Sequence, residues 1–258
     1  MAINQRKIKM GSGPKYKPIA PDAVSVWSGF KTKEKTYDEF VDFLGSIIVP
    51  VCSFLRPKIG LNAYIPSLPN PENKPKAIPD QTALLFWESK NISKEKSNTV
   101  VERLFTLLFD QTYSKKNSSM RAVKQYKGIV KANQPYYLVD EESDWMHGTV
   151  YHKVGYKHEG QSEEAFLASI KTWADAYTSE RSDGAILMVA DNYVVFWEHF
   201  PRRGMKASSS FNELGDYVTL FLDKTAKSIV PPKEGVWGEW KGIDLIRDNC
   251  VNIHLERV

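Results

Sequence analysis

The sequence predicts an α+β protein built from two β-α-β-β-α-β units in tandem. The first observation is that four pairs of segments match in the same order along the two halves: 29–31 with 155–157, 84–88 with 194–198, 106–112 with 219–225, and 126–129 with 240–243. The second is that strand-like and helix-like patterns follow one another in the same order in each half. A tandem duplication accounts for both observations and predicts two similar folded halves.

The chain divides into four parts on this basis. Residues 1–21 are basic and rich in glycine and proline, which predicts a disordered arm. The first unit is expected over 22–140, a linker over 141–146 and the second unit over 147–258. A chain of 258 residues is long enough for two units that each bury a core.

The first unit opens with a strand at 24–31. Thr36, with Glu39 three residues later, forms a capping box that begins a helix, and this helix is expected to end before Pro50. The remaining elements are predicted as hairpin strands at 61–65 and 82–88, a second helix at 93–113 and a closing strand at 136–139.

The hairpin of the first unit has a long connection over 66–79. This segment contains five prolines, so it is too long for a turn and too rich in proline for a ladder strand. Two interpretations remain open: a lid or dimer arm, or a plain surface insertion.

The second unit has clearer patterns. A strand is predicted at 148–158, and Ser162 caps a helix that runs to about Thr178 with acids in its first turn. A turn at 191–192 joins hairpin strands at 184–190 and 193–200. A second helix is expected over 210–229 and a last strand over 250–257.

Composition excludes several classes of function. The net charge of +4 comes from scattered basic residues matched by 31 acids, so a nucleic-acid partner is not expected. Cys52 and Cys250, one in each half, indicate a reducing compartment and no disulfide framework. Neither a membrane span nor a signal peptide is evident, which favours a cytoplasmic protein. P-loop, dinucleotide-binding, GxSxG and HExxH motifs are absent from the sequence.

Two tandem units of this order resemble a fused pair of ferredoxin-like domains. The whole of 22–258 resembles the dimeric α+β barrel superfamily with both halves in one chain, and the Phe-Trp-Glu strands are similar in placement to those of the antibiotic-biosynthesis-monooxygenase-like members. The resemblance implies facing sheets, and an activity among cofactor-free monooxygenases, haem-dependent enzymes, isomerases and ligand-sensing modules. The haem-degrading members use a histidine on the helix after the tryptophan-bearing strand, and neither 93–113 nor 210–229 contains one.

The histidines break the symmetry between the halves. All five lie in the second half, and the residue that aligns with His152 is Val26. No two have the spacing of a preformed metal site, so no metal is expected. A single axial ligand to haem needs no such partner, and His254, in the middle of a predicted strand, is the best candidate. The alternative for His254 is a hydrogen-bonded histidine in the interior or at a sheet edge.

The strand at 193–200 carries the other candidate residues. His199 shares a face with Trp197, whereas Glu198 lies on the opposite, apolar face, where burial favours a raised pKa and a general-base role. Alternatively, Glu198 is a purely structural residue that pairs with Lys157.

Together with these candidate residues, the resemblance implies a small-molecule enzyme that is cofactor-free or haem-dependent: an oxidoreductase of monooxygenase or peroxidase type, or a lyase. The proposed catalytic residues are His254, His199, His152 and Glu198, and His254 and Trp197 would bind a cofactor. His152, Trp197, His199 and His254 would line a pocket in the second half, and the loop at 66–79 would fold across its opening. The alternative is a non-catalytic module that binds a ligand or a protein. Under either function, a monomer or a homodimer is expected.

Overall fold

The structure is a computed structural model that describes residues 23–49, 51, 60–68, 74–92, 99–140, 145, 148–179, 181–202, 204–229 and 251–254. The predicted arm, both cysteines and the segment 240–243 lie outside the described residues.

Among the described residues, each half contributes four strands and two helices to its ferredoxin-like unit, and three further strands lie outside these sets. The first half contains β1 (Val24–Gly29), α1 (Tyr37–Phe43, continued by a π-helix over Leu44–Ile48), β2 (Leu61–Ser67), β3 (Gln81–Trp87), α2 (Val100–Thr112) and β4 (Ser119–Ala122). Next come β5 (Lys124–Gln125) and β6 (Gln134–Asp140). The second half contains β7 (Thr149–Tyr156), α3 (Glu163–Ala176), β8 (Gly184–Val189), β9 (Tyr193–Phe200), α4 (Ser209–Glu213, followed by a 3₁₀ turn over Leu214–Asp216) and β10 (Thr219–Ile229). Strand β11 (Val251–His254) is the last described element.

The strand order confirms the predicted fold. The first half pairs its strands in the order β4-β1-β3-β2, and the second in the equivalent order β10-β7-β9-β8. Both sets are antiparallel, as in a ferredoxin-like unit. Strands β1 and β7 therefore occupy equivalent places, as the match between Gly29 and Gly155 predicts.

The two sheets join along both sides into a barrel. On one side, β11 pairs parallel with β10 and antiparallel with β2. On the other side, the chain over 119–125 pairs first with β1 through β4 and then with β6 through β5. Val123, between these two strands, is buried and donates its N–H to the carbonyl of Val24 over 2.8 Å.

Three apolar layers follow from this arrangement. The inner faces of the two sheets pack against each other, so that Val26 and Phe86 of the first half share a core with Val154 and Met188 of the second. Helices α1 and α2 cover the outer face of the first sheet, and α3 and α4 cover that of the second. The fold is thus a dimeric α+β barrel with both halves in one chain.

Local capping fixes where the helices begin. The Thr36 side chain accepts from the N–H of Glu39, whose carboxylate accepts from the N–H of Thr36, so the predicted capping box is present. Ser162 caps α3 by accepting from Ala165, with Glu163 and Glu164 in the first turn.

The helix predicted over 210–229 is wrong for most of its length. Helix α4 spans only Ser209–Glu213, and Thr219–Ile229 is a strand antiparallel to β7. Gly215 and Asp216 interrupt the helical pattern, and β7 needs a second partner because β9 occupies only one of its edges. The match between 106–112 and 219–225 therefore joins a helix to a strand.

The fourth strand of the first unit was also misplaced. The strand predicted at 136–139 exists as β6, but it pairs with β8 and extends the second sheet. The place beside β1 belongs to β4, whose four residues Ser-Met-Arg-Ala are mostly exposed and have no buried apolar face that would mark them as a strand. In the second unit that place belongs to β10, while the strand predicted at 250–257 appears as β11 and bridges the sheets.

The match between 84–88 and 194–198, which aligns Trp87 with Trp197, does not pair structurally equivalent residues. Val26 pairs across the ladder with Leu84, and the equivalent His152 pairs with Trp197. Trp87 consequently packs under the helices of the first half, whereas Trp197 lies in the core between the sheets. The interpretation of the two tryptophans as equivalent residues is wrong.

The described part of the 66–79 connection packs against the barrel. Ile78 is buried in the core between the sheets, and Leu68 is buried under the helices of the first half. Lys74 donates to the carbonyl of Ile78 over 2.5 Å and lies 3.3 Å from the carboxylate of Asp80. Residues 69–73 lie outside the described residues.

The core between the sheets should dominate stability. Replacing Phe86 by alanine should lower the free energy of unfolding by about 3–5 kcal/mol, because it leaves a cavity between two sheets. Val100→Ala, at a position that is 83% exposed on α2, is the matched control and should change it by less than about 0.5 kcal/mol. Urea unfolding measures both, and equal effects would contradict this layering.

Candidate functional site

His152 and Trp197 lie side by side on the inner face of the second sheet. Their rings are 5.1 Å apart, and the histidine is fully buried. Its Nδ1 lies 3.1 Å from Ser67 Oγ and its Nε2 lies 3.4 Å from Thr82 Oγ1. Both hydroxyls belong to the first half, so His152 makes a polar link between the two sheets. The indole nitrogen of Trp197 is buried without a hydrogen-bond partner among the described residues.

His199 lies on the same face of the sheet at the end of β9. Its Nδ1 is 2.5 Å from Asp183 Oδ1, and its ring packs against Trp145 at 5.3 Å. The Asp183 N–H in turn donates to the His199 carbonyl over 3.2 Å. The pair fastens the start of β8 to the end of β9 in the predicted hairpin.

The structure therefore gathers three of the predicted residues, namely His152, Trp197 and His199, on one face. The backbone of His254 pairs with Ala63 of β2, and its side chain lies outside the described residues. Neither His152 nor His199 lines the cavity described below. Both ring nitrogens of His152 lie within hydrogen-bonding distance of hydroxyl groups, so this residue does not fit an axial haem ligand, which needs a ring nitrogen open to the iron. The cofactor role of His254 and Trp197 stays a prediction.

Glu198 points to the opposite face, towards the helices, as strand alternation predicts. It is fully buried, and its Oε1 accepts from the Tyr177 hydroxyl over 2.6 Å and from the Ser208 hydroxyl over 2.7 Å. Its Oε2 accepts from the Ser208 N–H over 3.2 Å. The carboxylate therefore ties the end of α3 to the residue that caps α4.

The basic residue near Glu198 is Lys153 of β7, not the expected Lys157. Lys153 is buried, donates to the carbonyl of Phe211 over 3.2 Å and lies 4.2 Å above the Phe211 ring. Its positive charge favours the carboxylate form of Glu198.

Burial controls the acidity of this cluster. Desolvation raises the pKa of Glu198 above its ordinary value of 4.5, and the hydrogen bonds from Tyr177 and Ser208 offset this only in part. Desolvation and the neighbouring Glu198 charge raise the pKa of the Tyr177 hydroxyl as well, so it stays a hydrogen-bond donor. A carboxyl with a raised pKa can act as a general acid or base closer to neutral pH.

A cavity of about 520 Å³ opens beside this cluster. Its walls come from the end of α3, the end of β9 and the segment that leads into α4: Thr178, Arg181, Phe200, Gly204, Met205, Lys206, Ala207, Ser208 and Ser209. Arg181 and Lys206 are exposed cations, and none of these nine residues is acidic. A cavity of this size with convergent polar groups suits a small ligand, and its charge favours an anion.

Ser208 connects the cavity to the buried acid. It lines the cavity, donates to Glu198 and accepts from the N–H of Phe211 as the cap of α4. One residue, Ser208, therefore lies between the cavity and the Glu198 carboxylate.

Sequence reasoning identified Glu198 but not the residues around it. Tyr177 and Arg181 lie between α3 and β8, and Ser208 follows β9, so no periodic pattern brings them together. The available signal was Ser208 itself, because a serine followed by Phe211 and Leu214 matches the cap and apolar spacing of a helix.

Two further observations concern metals and membranes. Among the described residues, no group of three or more histidine, cysteine or acidic side chains could hold a metal ion. Within the same residues, no helix combines the length and the apolar composition that a membrane crossing requires.

Comparison with known proteins finds distant likenesses. No protein-family model and no curated protein matches the chain. A "putative monooxygenase" from Lactobacillus acidophilus NCFM matches with a TM-score of 0.34 at 8% identity, over 78% of this chain and 90% of that chain. A second "putative monooxygenase", from Fusobacterium nucleatum, matches with a TM-score of 0.33 at 11% identity, over 78% of this chain and 88% of that chain. A dye-decolorizing peroxidase from Bacteroides thetaiotaomicron matches with a TM-score of 0.34 at 8% identity, over 76% of this chain and 84% of that chain. These likenesses are too distant to assign an activity.

The raised pKa of Glu198 predicts a specific dependence of stability on pH. The folded protein holds this proton to a higher pH than the unfolded chain, so the stability that the protonated form contributes is lost as pH rises from about 4.5 through the raised pKa. Relative to Glu198→Gln, the wild-type protein should lose up to about 1.4 kcal/mol per pH unit across that window.

Urea unfolding of the two proteins at a series of pH values measures this difference. Glu164→Gln, at an exposed position in the first turn of α3, is the control for loss of a carboxylate. If the wild-type protein instead gains stability relative to Glu198→Gln over the same window, the hydrogen bonds to Glu198 lower its pKa by more than desolvation raises it.

Proposed function

We propose that the protein is a small-molecule enzyme that catalyses cofactor-free proton transfer on a small anionic substrate, with the lyases and isomerases as its reaction class. The observation that carries the proposal is the cavity beside Ser208, directly in front of the buried carboxyl of Glu198. An oxidoreductase that begins with the same proton abstraction would use the same residues.

Each group has a definite role in this proposal. Arg181 and Lys206 hold the anionic group of the substrate at the cavity rim. A C–H proton moves from the substrate to the Ser208 oxygen as the hydroxyl proton of Ser208 passes to Glu198, and the electron pair stays on the substrate. Tyr177 donates to Glu198 throughout and holds the carboxylate in place. Lys153 stabilises the ionised form of Glu198, which is the form that accepts the proton.

Exchange of substrate hydrogen for solvent deuterium tests this step without knowledge of the full reaction. Pyruvate, acetoacetate and dihydroxyacetone phosphate are suitable probes, because each is anionic and has an acidic C–H bond. The wild-type protein should accelerate exchange of at least one probe, as followed by proton NMR in deuterium oxide. Glu198→Gln should lower that rate by about 100-fold or more while leaving the dissociation constant of the probe nearly unchanged.

Two further variants separate binding from chemistry. Arg181→Ala should weaken binding of every anionic probe, because it removes a cation from the rim. Glu164→Gln should change neither quantity. If the probes bind but Glu198→Gln exchanges them as fast as the wild-type protein, the site is a binding module, as the alternative from the sequence holds. If no probe binds, the anionic substrate class is wrong.

A further inference from the structure

Helix α2 carries apolar side chains on two opposite faces. Its inner face packs on the first sheet through Phe105 and Phe109, beside a second cavity of about 170 Å³ that is separate from the one in the second half. Its outer face carries Val100, Leu104 and Leu107, which are 83%, 44% and 61% exposed. A helix that only covers a sheet needs one apolar face, so the second one calls for its own explanation.

The exposed apolar residues of α2 form a continuous stripe. Residues three and four positions apart lie on the same side of a helix, so Val100, Leu104 and Leu107 follow one another along one face, and the exposed Gln111 continues it. Six large apolar side chains are exposed among the described residues, and these three are the ones that share an element. Single exposed apolar residues are ordinary, whereas a stripe with this spacing is typical of a helix that packs against another helix.

The charges beside the stripe make this face complementary to itself. Arg103 and Asp110 are seven positions apart, so both lie along the same edge of the stripe. When two copies of α2 pack antiparallel about a two-fold axis, these edges meet in opposite directions. Arg103 of each copy then lies beside Asp110 of the other, which gives two equivalent ion pairs.

The charges also favour one orientation of the two helices. In a parallel pair, the edge with Arg103 faces the opposite edge of the other helix, where Leu108 lies, and no ion pair forms. Asp110 already lies 2.7 Å from Lys115 at the surface through its Oδ2. A carboxylate accepts at both oxygens, so this contact is compatible with a second cation from another copy.

We infer that the outer stripe of α2, made of Val100, Leu104, Leu107 and Gln111, binds the same stripe of a second copy of the chain in antiparallel orientation. Leu104 of each copy packs against Leu107 of the other at the centre, and Val100 packs against Gln111 at each end. The two sheets of one chain already share a core, so the barrel itself does not require this contact. The inference is independent of the proposed function, whose residues all belong to the second half.

The contact is small, since each copy contributes about three turns of one helix. Small interfaces of this kind are weak, and we expect a dissociation constant on the order of 10–100 µM. The protein is then monomeric at about 1 µM, so unfolding measured at that concentration reports on the monomer.

Sedimentation velocity between about 1 and 500 µM tests the dimer, with a range that brackets the expected dissociation constant. The mean mass of the wild-type protein should rise from that of the monomer towards twice that value. Leu107→Glu should weaken the dimer by about tenfold or more, because it places a charge at the centre of an apolar contact. Ile129→Glu makes the same change at another exposed apolar position, 60% exposed and outside α2, and should leave the dimer unchanged.

A charge exchange tests the antiparallel orientation. Arg103→Glu and Asp110→Arg should each weaken self-association by about fivefold or more, because each places like charges side by side twice. An equimolar mixture of the two variants should dimerise about as well as the wild-type protein. In that mixture, the introduced glutamate meets the introduced arginine, and the native Arg103 meets the native Asp110.

Three results would each overturn the inference. A wild-type protein that stays monomeric at every concentration would leave a segment of the same chain or a different protein as the occupant of the stripe. A Leu107→Glu variant that dimerises like the wild-type protein would place the interface elsewhere. A mixture that associates no better than either charge variant alone would exclude the antiparallel pairing. A cooperative urea transition for each variant at about 1 µM shows that a loss of association is not a loss of folding.

Discussion

Burial of two sheet faces against each other is the constraint on which the rest of the structure depends. The described helices of each half cover the outer face of its sheet, and the inner face packs against the other sheet. The inner faces carry large apolar side chains such as Phe86 and Trp197, and neither could face water without a large cost. The chain resolves this by placing the two inner faces in one shared core. Strand β11 and the crossing segment 119–125 then join the sheets on either side.

This constraint also determines where ligands can bind. The shared core contains His152, whose ring contacts hydroxyls of the first half, and the described side chains around it are closely packed. Both described cavities lie instead between a sheet and its helices. One has cations at its rim beside a buried acid, and the other is lined mainly by aromatic and aliphatic side chains such as Phe105 and Phe109. The two halves thus share an architecture but present different chemistry on their outer faces.

The parts of the fold that the sequence predicts are those set by local physics. Thr36 and Ser162 mark helix starts because a side-chain cap is a local interaction, and β8 and β9 follow from apolar runs around a turn. The fourth strands were missed because tertiary pairing alone defines them. Ser119–Ala122 is short and has no buried apolar face, and Thr219–Ile229 becomes a strand because β7 has an open edge.

The candidate site was predictable to a similar degree. Strand alternation placed Glu198 opposite His199, and the structure places both as expected from that alternation. The partners of Glu198 were not predictable, because Tyr177 and Ser208 come from connections whose path only the folded sheet defines. The sequence analysis paired Glu198 with Lys157 and missed Lys153. The register between β7 and β9 determines which lysine lies near Glu198, and the sequence alone does not define that register.

Because the two halves share a core, we expect them to unfold as one cooperative unit. Native-state hydrogen exchange of the backbone amides in β3 and β9, with and without Phe86→Ala, tests it most directly. The shared core predicts that the substitution in the first half lowers the opening free energy of amides in both strands by the same amount. A loss of protection confined to the first sheet, with β9 unchanged, would show that the halves open independently and would contradict the account.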